Sequence, residues 1–275
     1  MSKDVTTLVP YFGSNRTNAS RPGALLKGCS WVGIPFAGGM CEVPHFDART
    51  VVVNDKHDFV INLANVLTDP VTGPKLYRKL KREIFHPGSL DWAQDQCSQW
   101  MDGPWDIDDE ELAAYYFVCA WMGRSGLAGT DGEFNSSLAL RWTATGGDSA
   151  RRYQSAVKAL NSLRRTLRRC TFSCLDCFDF LDNVNDEEGH GLYCDPPWPK
   201  DGDSYRHKFT LHDQRELARV LMAFRHCKVV VRYGDHPLIR ELYPPPHWRW
   251  HLLDGRTQAN KVKQEVLLTN FTEES

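Results

Sequence analysis

Asp195-Pro196-Pro197-Trp198 joins a carboxylate, two prolines and an aromatic ring, a set suited to holding an amino group on a flat ring. Two consecutive prolines fix φ and cannot continue a sheet ladder. The chain must therefore leave the apolar run Gly191-Leu192-Tyr193 in a rigid, extended turn. Open α/β sheets bind their ligands at such strand ends. Here Asp195 and the proline carbonyls would accept from an exocyclic NH2 while Trp198 stacks on the ring. Two further features belong to the same chemistry. Gly38-Gly39, after a strand, permits close approach of backbone to a ligand. Asp55 ends the next strand, where doubly wound folds hold a ribose by its hydroxyls. A nucleoside cofactor beside a pocket for an amino-bearing ring is an arrangement for group transfer to that amino group.

The elements that must position these residues follow from the apolar pattern. Strands are predicted at Trp31–Ile34, leading into Pro35-Phe36-Ala37-Gly38-Gly39-Met40, and at Thr50–Val53, leading into Asn54-Asp55. A helix from about 58 to 67 carries Phe59, Leu63, Val66 and Leu67 at helical spacing. From about 69 to 164 the pattern changes to helices at 75–84 and 110–121 among loops rich in Gly, Pro and Trp, with no obvious strand. The acidic cluster Asp106-Ile107-Asp108-Asp109 is placed to cap the second of these helices. A helix over 152–168 leads to a short strand at Thr171-Phe172-Ser173. After the Asp-Pro-Pro-Trp turn come a helix at 211–224, a strand at 228–231, a short helix at 239–242 and an antiparallel pair at 248–253 and 265–269. The expected fold class is α/β, a mostly parallel sheet with an antiparallel edge hairpin and an inserted helical and loop module.

Composition narrows the setting. The length suits one large domain or a domain with a sizeable insertion. No apolar run approaches the roughly 20 residues of a membrane span, and Met1-Ser2-Lys3-Asp4 lacks the pattern of a secretion signal. A cytoplasmic location is expected. Nine cysteines are scattered, and Cys174-x-x-Cys177 has no second ligand pair, so reduced thiols are expected and no metal. A net charge of −2 argues against wholesale coating of nucleic acid. Yet seven basic residues and no acid lie between Arg151 and Arg169, a stretch that reads as a solvated helix face or a phosphate-binding stripe.

Taken together, these segments resemble the Dam-type, S-adenosylmethionine-dependent N6-adenine DNA methyltransferases. The likeness lies in Pro35–Gly39, Val53-Asn54-Asp55, Gly132-Glu133-Phe134-Asn135, Asp179-Phe180, Tyr193–Trp198, Lys208-Phe209-Thr210-Leu211 and Glu265–Asn270, in that order. The resemblance implies a Rossmann-like sheet, formed by 1–69 and 165–275, that binds S-adenosylmethionine. Pro35, Phe36, Ala37, Gly38 and Gly39 would lie along the methionine part of the cofactor, Asp55 on its ribose, and Asp179 with Phe180 beside its adenine. Tyr11 and Asn15 fall where the family carries a cofactor-contacting Gly-Gly-Lys. The segment 70–164 would read the target in double-stranded DNA, with Arg124, Asn135 and Arg141 as candidate base contacts. Met40 stands where the family's glycine motif has a third glycine, and Trp198 where Tyr is usual.

The implied reaction is transfer of a methyl group to adenine N6 after base flipping, with Asp195, Pro196, Pro197 and Trp198 forming the pocket. An RNA adenine or cytosine-N4 methyltransferase shares the chemistry of the amino group, and a catalytically silent nucleic-acid-binding subunit is the alternative from another class. A restriction-modification setting fits the class, but the residues specify no partner nuclease.

Overall fold

The computed structural model describes residues 6–14, 17–101, 110–124, 126–140, 142, 147–200, 202–256 and 262–272. Asn15, Arg141 and the acidic cluster Asp106–Asp109 lie outside them. In chain order the elements are α1 (Ser20–Leu25), β1 (Trp31–Ile34), β2 (Thr50–Asn54), α2 (Asp58–Thr68), α3 (Thr72–Arg82), α4 (Pro87–Gln99), α5 (Glu110–Met122) and α6 (Ser149–Leu167). There follow β3 (Cys170–Ser173), α7 (Cys177–Asp182), β4 (His190–Cys194), α8 (Leu211–Ala223), β5 (Lys228–Gly234), α9 (Pro237–Leu242), β6 (Arg249–Arg256) and β7 (Val262–Thr269). The chain divides into two compact units, one of residues 15–37, 42–56 and 173–275, the other of 1–14, 38–41 and 57–172.

The first unit is built on sheet strands in the order β2-β1-β4-β5-β7-β6. β2, β1, β4 and β5 run parallel, whereas β7 pairs antiparallel with both β5 and β6. The expected mostly parallel sheet with its antiparallel hairpin is therefore present. β5 and β7 are longer than their apolar runs because each continues through a charged residue, Arg232 and Glu265. The buried strands read Val-Val-Val and Val-Leu-Leu without alternation, as strands covered on both faces do. From β1 the chain steps to β2 on one side and later to β4 on the other. The carboxyl ends of β1 and β4 thus flank a topological switch point, where such sheets open a crevice.

Helices α8 and α9 and the short α7 belong to this unit. Leu217, Ala218 and Leu221 of α8 pack with Val229, Val231, Leu192 and Leu268 in one buried cluster. A capping box at Thr210 and Asp213 fixes the start of α8, with the N–H of Asp213 donating to Thr210 Oγ1 and that of Thr210 to Asp213 Oδ2.

The second unit is helical. Helix α5 is buried on nearly every side from Leu112 to Met122 and is packed by α2, α3, α4 and α6. A helix apolar all round belongs inside a bundle. Helix α4 forms within the segment expected to be loop. Its Pro87 occupies the first turn, where the lost N–H has no intrahelical acceptor, and Leu90, Ala93, Gln94 and Cys97 make one buried stripe. Between α5 and α6 the described residues form only isolated bridges, Tyr11 with Ala128 and Gly123 with Leu138.

Candidate active site

In the sheet unit, β4 delivers the Asp-Pro-Pro-Trp turn to the carboxyl edge. Tyr193 and Asp195 are two residues apart and share a face. The Tyr193 hydroxyl donates to Asp195 Oδ2 at 3.3 Å. Neighbouring β5 sends Arg232 to the same oxygen, Nη1 to Oδ2 at 2.8 Å. Arg232 is also held by Glu265 of β7 in a two-pronged pair, Nε to Oε2 at 3.1 Å and Nη2 to Oε1 at 2.9 Å. The side chains of Arg232, Glu265 and Asp195 are 4%, 7% and 17% exposed, so this ion cluster is shielded from water. Removing one member of such a cluster typically costs about 3–5 kcal/mol, because a buried charge is left uncompensated.

Burial pushes the Asp195 carboxyl above its ordinary value; the Arg232 charge draws it back, and the Glu265 charge pushes it up again. Burial also works against the Arg232 charge, but the carboxylates outweigh it and hold the guanidinium firmly protonated. Among the described residues, both hydrogen bonds to Asp195 fall on Oδ2. Oδ1 is thus the oxygen left to receive a donor from a ligand.

The prolines are fixed as well. Gln214 of α8, fully buried, donates Nε2 to the Pro197 carbonyl at 2.6 Å. Its Oε1 accepts from the buried Tyr233 hydroxyl at 2.6 Å. No described residue donates to the Pro196 carbonyl, the second acceptor expected of the motif. Trp198 is half-buried, and the Arg232 guanidinium lies over its ring, 5.1 Å from the centroid. One face of the expected stacking platform therefore carries a cation.

At the ends of β1 and β2, Asn54 is the residue that organises the turns. It is fully buried, and its amide donates to the carbonyls of Pro35 (3.1 Å) and Leu175 (3.0 Å). Its oxygen accepts from Ser173 Oγ and the Leu175 N–H, both at 2.9 Å. The Ala37 N–H donates to the Asn54 carbonyl. Asp55 follows at the strand's carboxyl end, half-buried. Pro35 and Ala37 are buried, and Phe36 meets Phe209 edge to face at 5.6 Å. On α7, Asp179 is exposed and Phe180 lies 4% exposed in the core cluster. Phe178 is the half-buried ring of that turn, stacked at 16° to Phe209.

The helical unit holds the remaining expected residues. Gly38 has φ +46°, and a Cβ there would lie 3.1 Å from the Tyr11 ring, so only glycine suits it. The Gly39 carbonyl accepts from the Leu8 N–H (2.9 Å) and Thr7 Oγ1 (2.7 Å). Met40, in place of a third glycine, adopts φ +59°, a left-handed conformation costing about 1–2 kcal/mol for a side-chain-bearing residue. Its side chain is 1% exposed, and burial of the thioether offsets that strain. Tyr11 also packs over Gly129 and, edge on, against His57. His57 is itself bound by Glu133, which accepts the Gly129 N–H at 2.8 Å. Glu133 and Phe134 are buried, whereas Arg124 and Asn135 are exposed. A surface hollow of about 580 Å³ on α3 is lined by Lys75, Arg78, Lys79, Arg82 and Glu83. Its lining suits an anion, not an amino-bearing ring.

Arg232, Glu265 and Gln214 were not singled out from sequence as site residues. A lone Arg inside Val229-Val230-Val231-Arg232-Tyr233 was the available signal, since a charge in a buried strand requires partners. Cys174 and Cys177 form no disulfide, and the described residues contain no cluster able to hold a metal ion. No described helix is long and apolar enough to cross a membrane. No family model and no curated protein matches the chain.

Proposed function

We propose that this chain is an S-adenosylmethionine-dependent methyltransferase acting on the N6 amino group of adenine in double-stranded DNA. The observation that carries the reading is Asp195-Pro196-Pro197-Trp198 at the carboxyl end of β4, across the switch point from the Pro35–Ala37 turn of β1. The donor set fits the cofactor. Asp55 offers a carboxylate at the end of β2 for a ribose diol, and two carboxylates against one guanidinium give the Asp195 cluster a surplus negative charge suited to a nearby cation. When bound, the cofactor would supply an activated methyl group on sulfonium for transfer to an amino nitrogen, with one N–H proton of that nitrogen lost to solvent.

The residues of the chain contribute position and electrostatics. The N6 lone pair is delocalised into the ring and is a poor nucleophile. Oδ1 of Asp195 accepts one N–H and the Pro196 carbonyl the other, which favours a more tetrahedral nitrogen with its lone pair directed outward. This is preorganisation of fixed acceptors, with no covalent enzyme intermediate. A duplex adenine must be flipped out to reach such a pocket, at a cost of a few kcal/mol. Stacking on Trp198 recovers about 1–3 kcal/mol of that.

The test is transfer of labelled methyl from S-adenosylmethionine to unmethylated duplex DNA by wild type and Asp195→Ala, followed by nucleoside analysis. N6-methyladenine from wild type alone is the expected result. N4-methylcytosine, label in RNA only, or equal turnover by Asp195→Ala would each overturn the reading. Absence of cofactor binding would make the chain a silent nucleic-acid-binding subunit.

A further inference from the structure

Arg232 interrupts an apolar strand that is paired on both sides, a costly place for a charge. Three groups close around it, two from the turn after β4 and one from β7: Asp195, the ring of Trp198 and Glu265. The first and last residues of the Asp-Pro-Pro-Trp turn are thus both fixed to one guanidinium, and Glu265 orients that guanidinium through two of its nitrogens. Two-pronged carboxylate pairing restricts the plane of an Arg side chain as a point-charge pairing cannot.

We propose that Arg232, anchored by Glu265, is the positioning residue of this pocket: it grips Asp195 by Oδ2 and sets the plane of Trp198, so that Asp195 meets a ring with Oδ1 as an acceptor only. The proposal rests on the reading of the turn as a pocket for an amino-bearing ring. An ionised carboxylate has no proton to donate and admits an N–H, whereas a protonated one could donate to a ring carbonyl and lose that discrimination. The charged and titratable groups around Asp195 are Tyr193, Arg232 and Glu265, with Cys194 and Tyr233 behind them. Burial keeps Cys194 and Tyr233 neutral. The effective charges are therefore Arg232, which favours the carboxylate, and Glu265, which opposes it.

Those opposed signs supply a test that a merely structural role would not pass. The Asp195 carboxyl carbon is followed by NMR against pH in full-length protein and identified by its loss in Asp195→Asn. Arg232→Gln should raise the titration midpoint and Glu265→Gln should lower it, each by about one unit or more. Arg232→Lys should stay near wild type, since the charge remains. In methyl transfer, the acid limb of kcat should move to higher pH in Arg232→Gln and to lower pH in Glu265→Gln. Arg232→Lys should lose at least tenfold in kcat with little change in KM, because the fork and not the charge is missing. Midpoints that move in the same direction, or stay unmoved in folded variants, would overturn the proposal. Should Arg232→Gln fail to fold, the downward shift of Glu265→Gln and the unmoved midpoint of Arg232→Lys decide the matter. Shifts as stated in a protein that methylates no DNA would support the positioning role and overturn the methyl-transfer reading.

Discussion

The chain of contacts from Tyr233 through Gln214 to Pro197 gives a prediction whose size can be worked out. Tyr233 and Gln214 are both fully buried, and their hydrogen bond is 2.6 Å. Burial pushes the Tyr233 phenol well above its ordinary value, so it remains a neutral donor at any ordinary assay pH. Tyr233→Phe keeps the ring and strands Gln214 Oε1 without that donor, a loss of about 1–3 kcal/mol. Gln214→Leu strands the Tyr233 hydroxyl and the Pro197 carbonyl together, and should cost at least as much. In the double variant the hydroxyl and the amide oxygen are both gone, so only the Pro197 carbonyl is left stranded. The double cost should then fall short of the sum by about two such penalties, roughly 2–6 kcal/mol. Thermal unfolding followed by circular dichroism reads this directly. For a domain of about 150–250 residues each kcal/mol moves Tm by about 2–4 °C, so a 2 kcal/mol loss is a drop of about 4–8 °C. Strict additivity, or a Tyr233→Phe drop below about 1 °C, would refute the claim that this relay holds the turn.

Three further outcomes follow from other parts of the molecule. Glu133→Ala removes a hydrogen-bond partner of the fully buried His57 and the acceptor of the Gly129 N–H, and should destabilise the helical unit by about 1–3 kcal/mol in urea unfolding. Asp186 accepts three N–H bonds from Arg225, His226 and Cys227; burial raises its carboxyl, but these bonds outweigh it and hold it below the ordinary 3.8. Its contribution is therefore present above that value and lost as pH falls through the lowered one, so Asp186→Ala should lower the urea midpoint at pH 6 and flatten its decline below pH 4; parallel curves would exclude the effect. Neutralising Arg78, Arg82, Arg165 and Arg168, all exposed on α3, on α6 and at the residue that ends α6, should weaken the proposed DNA binding and reduce its salt slope by about 0.9 for each phosphate no longer neutralised. Arg164 is left out of that set because it donates to the Asp69 carbonyl and packs at Gly73, a structural task.

The sheet was largely legible because its strands announce themselves as short apolar runs; β1 has the bounds its sequence implies. Helix α4 was hidden by Pro87-Gly88, which resembles a turn until the tolerance of a first helical turn for proline is considered. Side-chain partnerships were less visible. Asn54 and Asp55 stand together at a strand end, and sequence favours the carboxylate, yet the amide ties four groups on three residues. The Asp195–Arg232–Glu265 cluster could not be read from spacing, because its members are 37 and 33 residues apart and meet only through the strand order β4-β5-β7.

That strand order has a consequence for how the protein is made. β7 is synthesised after β6 yet lies inside the sheet, between β5 and β6. During translation, at about 5–20 residues per second, β6 leaves the ribosome with no edge to join. Asp195 and Arg232 can meet in the nascent chain, but the second carboxylate arrives only with residue 265. The pocket therefore acquires its final charge and geometry in one late event, when the closing strand slots between its neighbours.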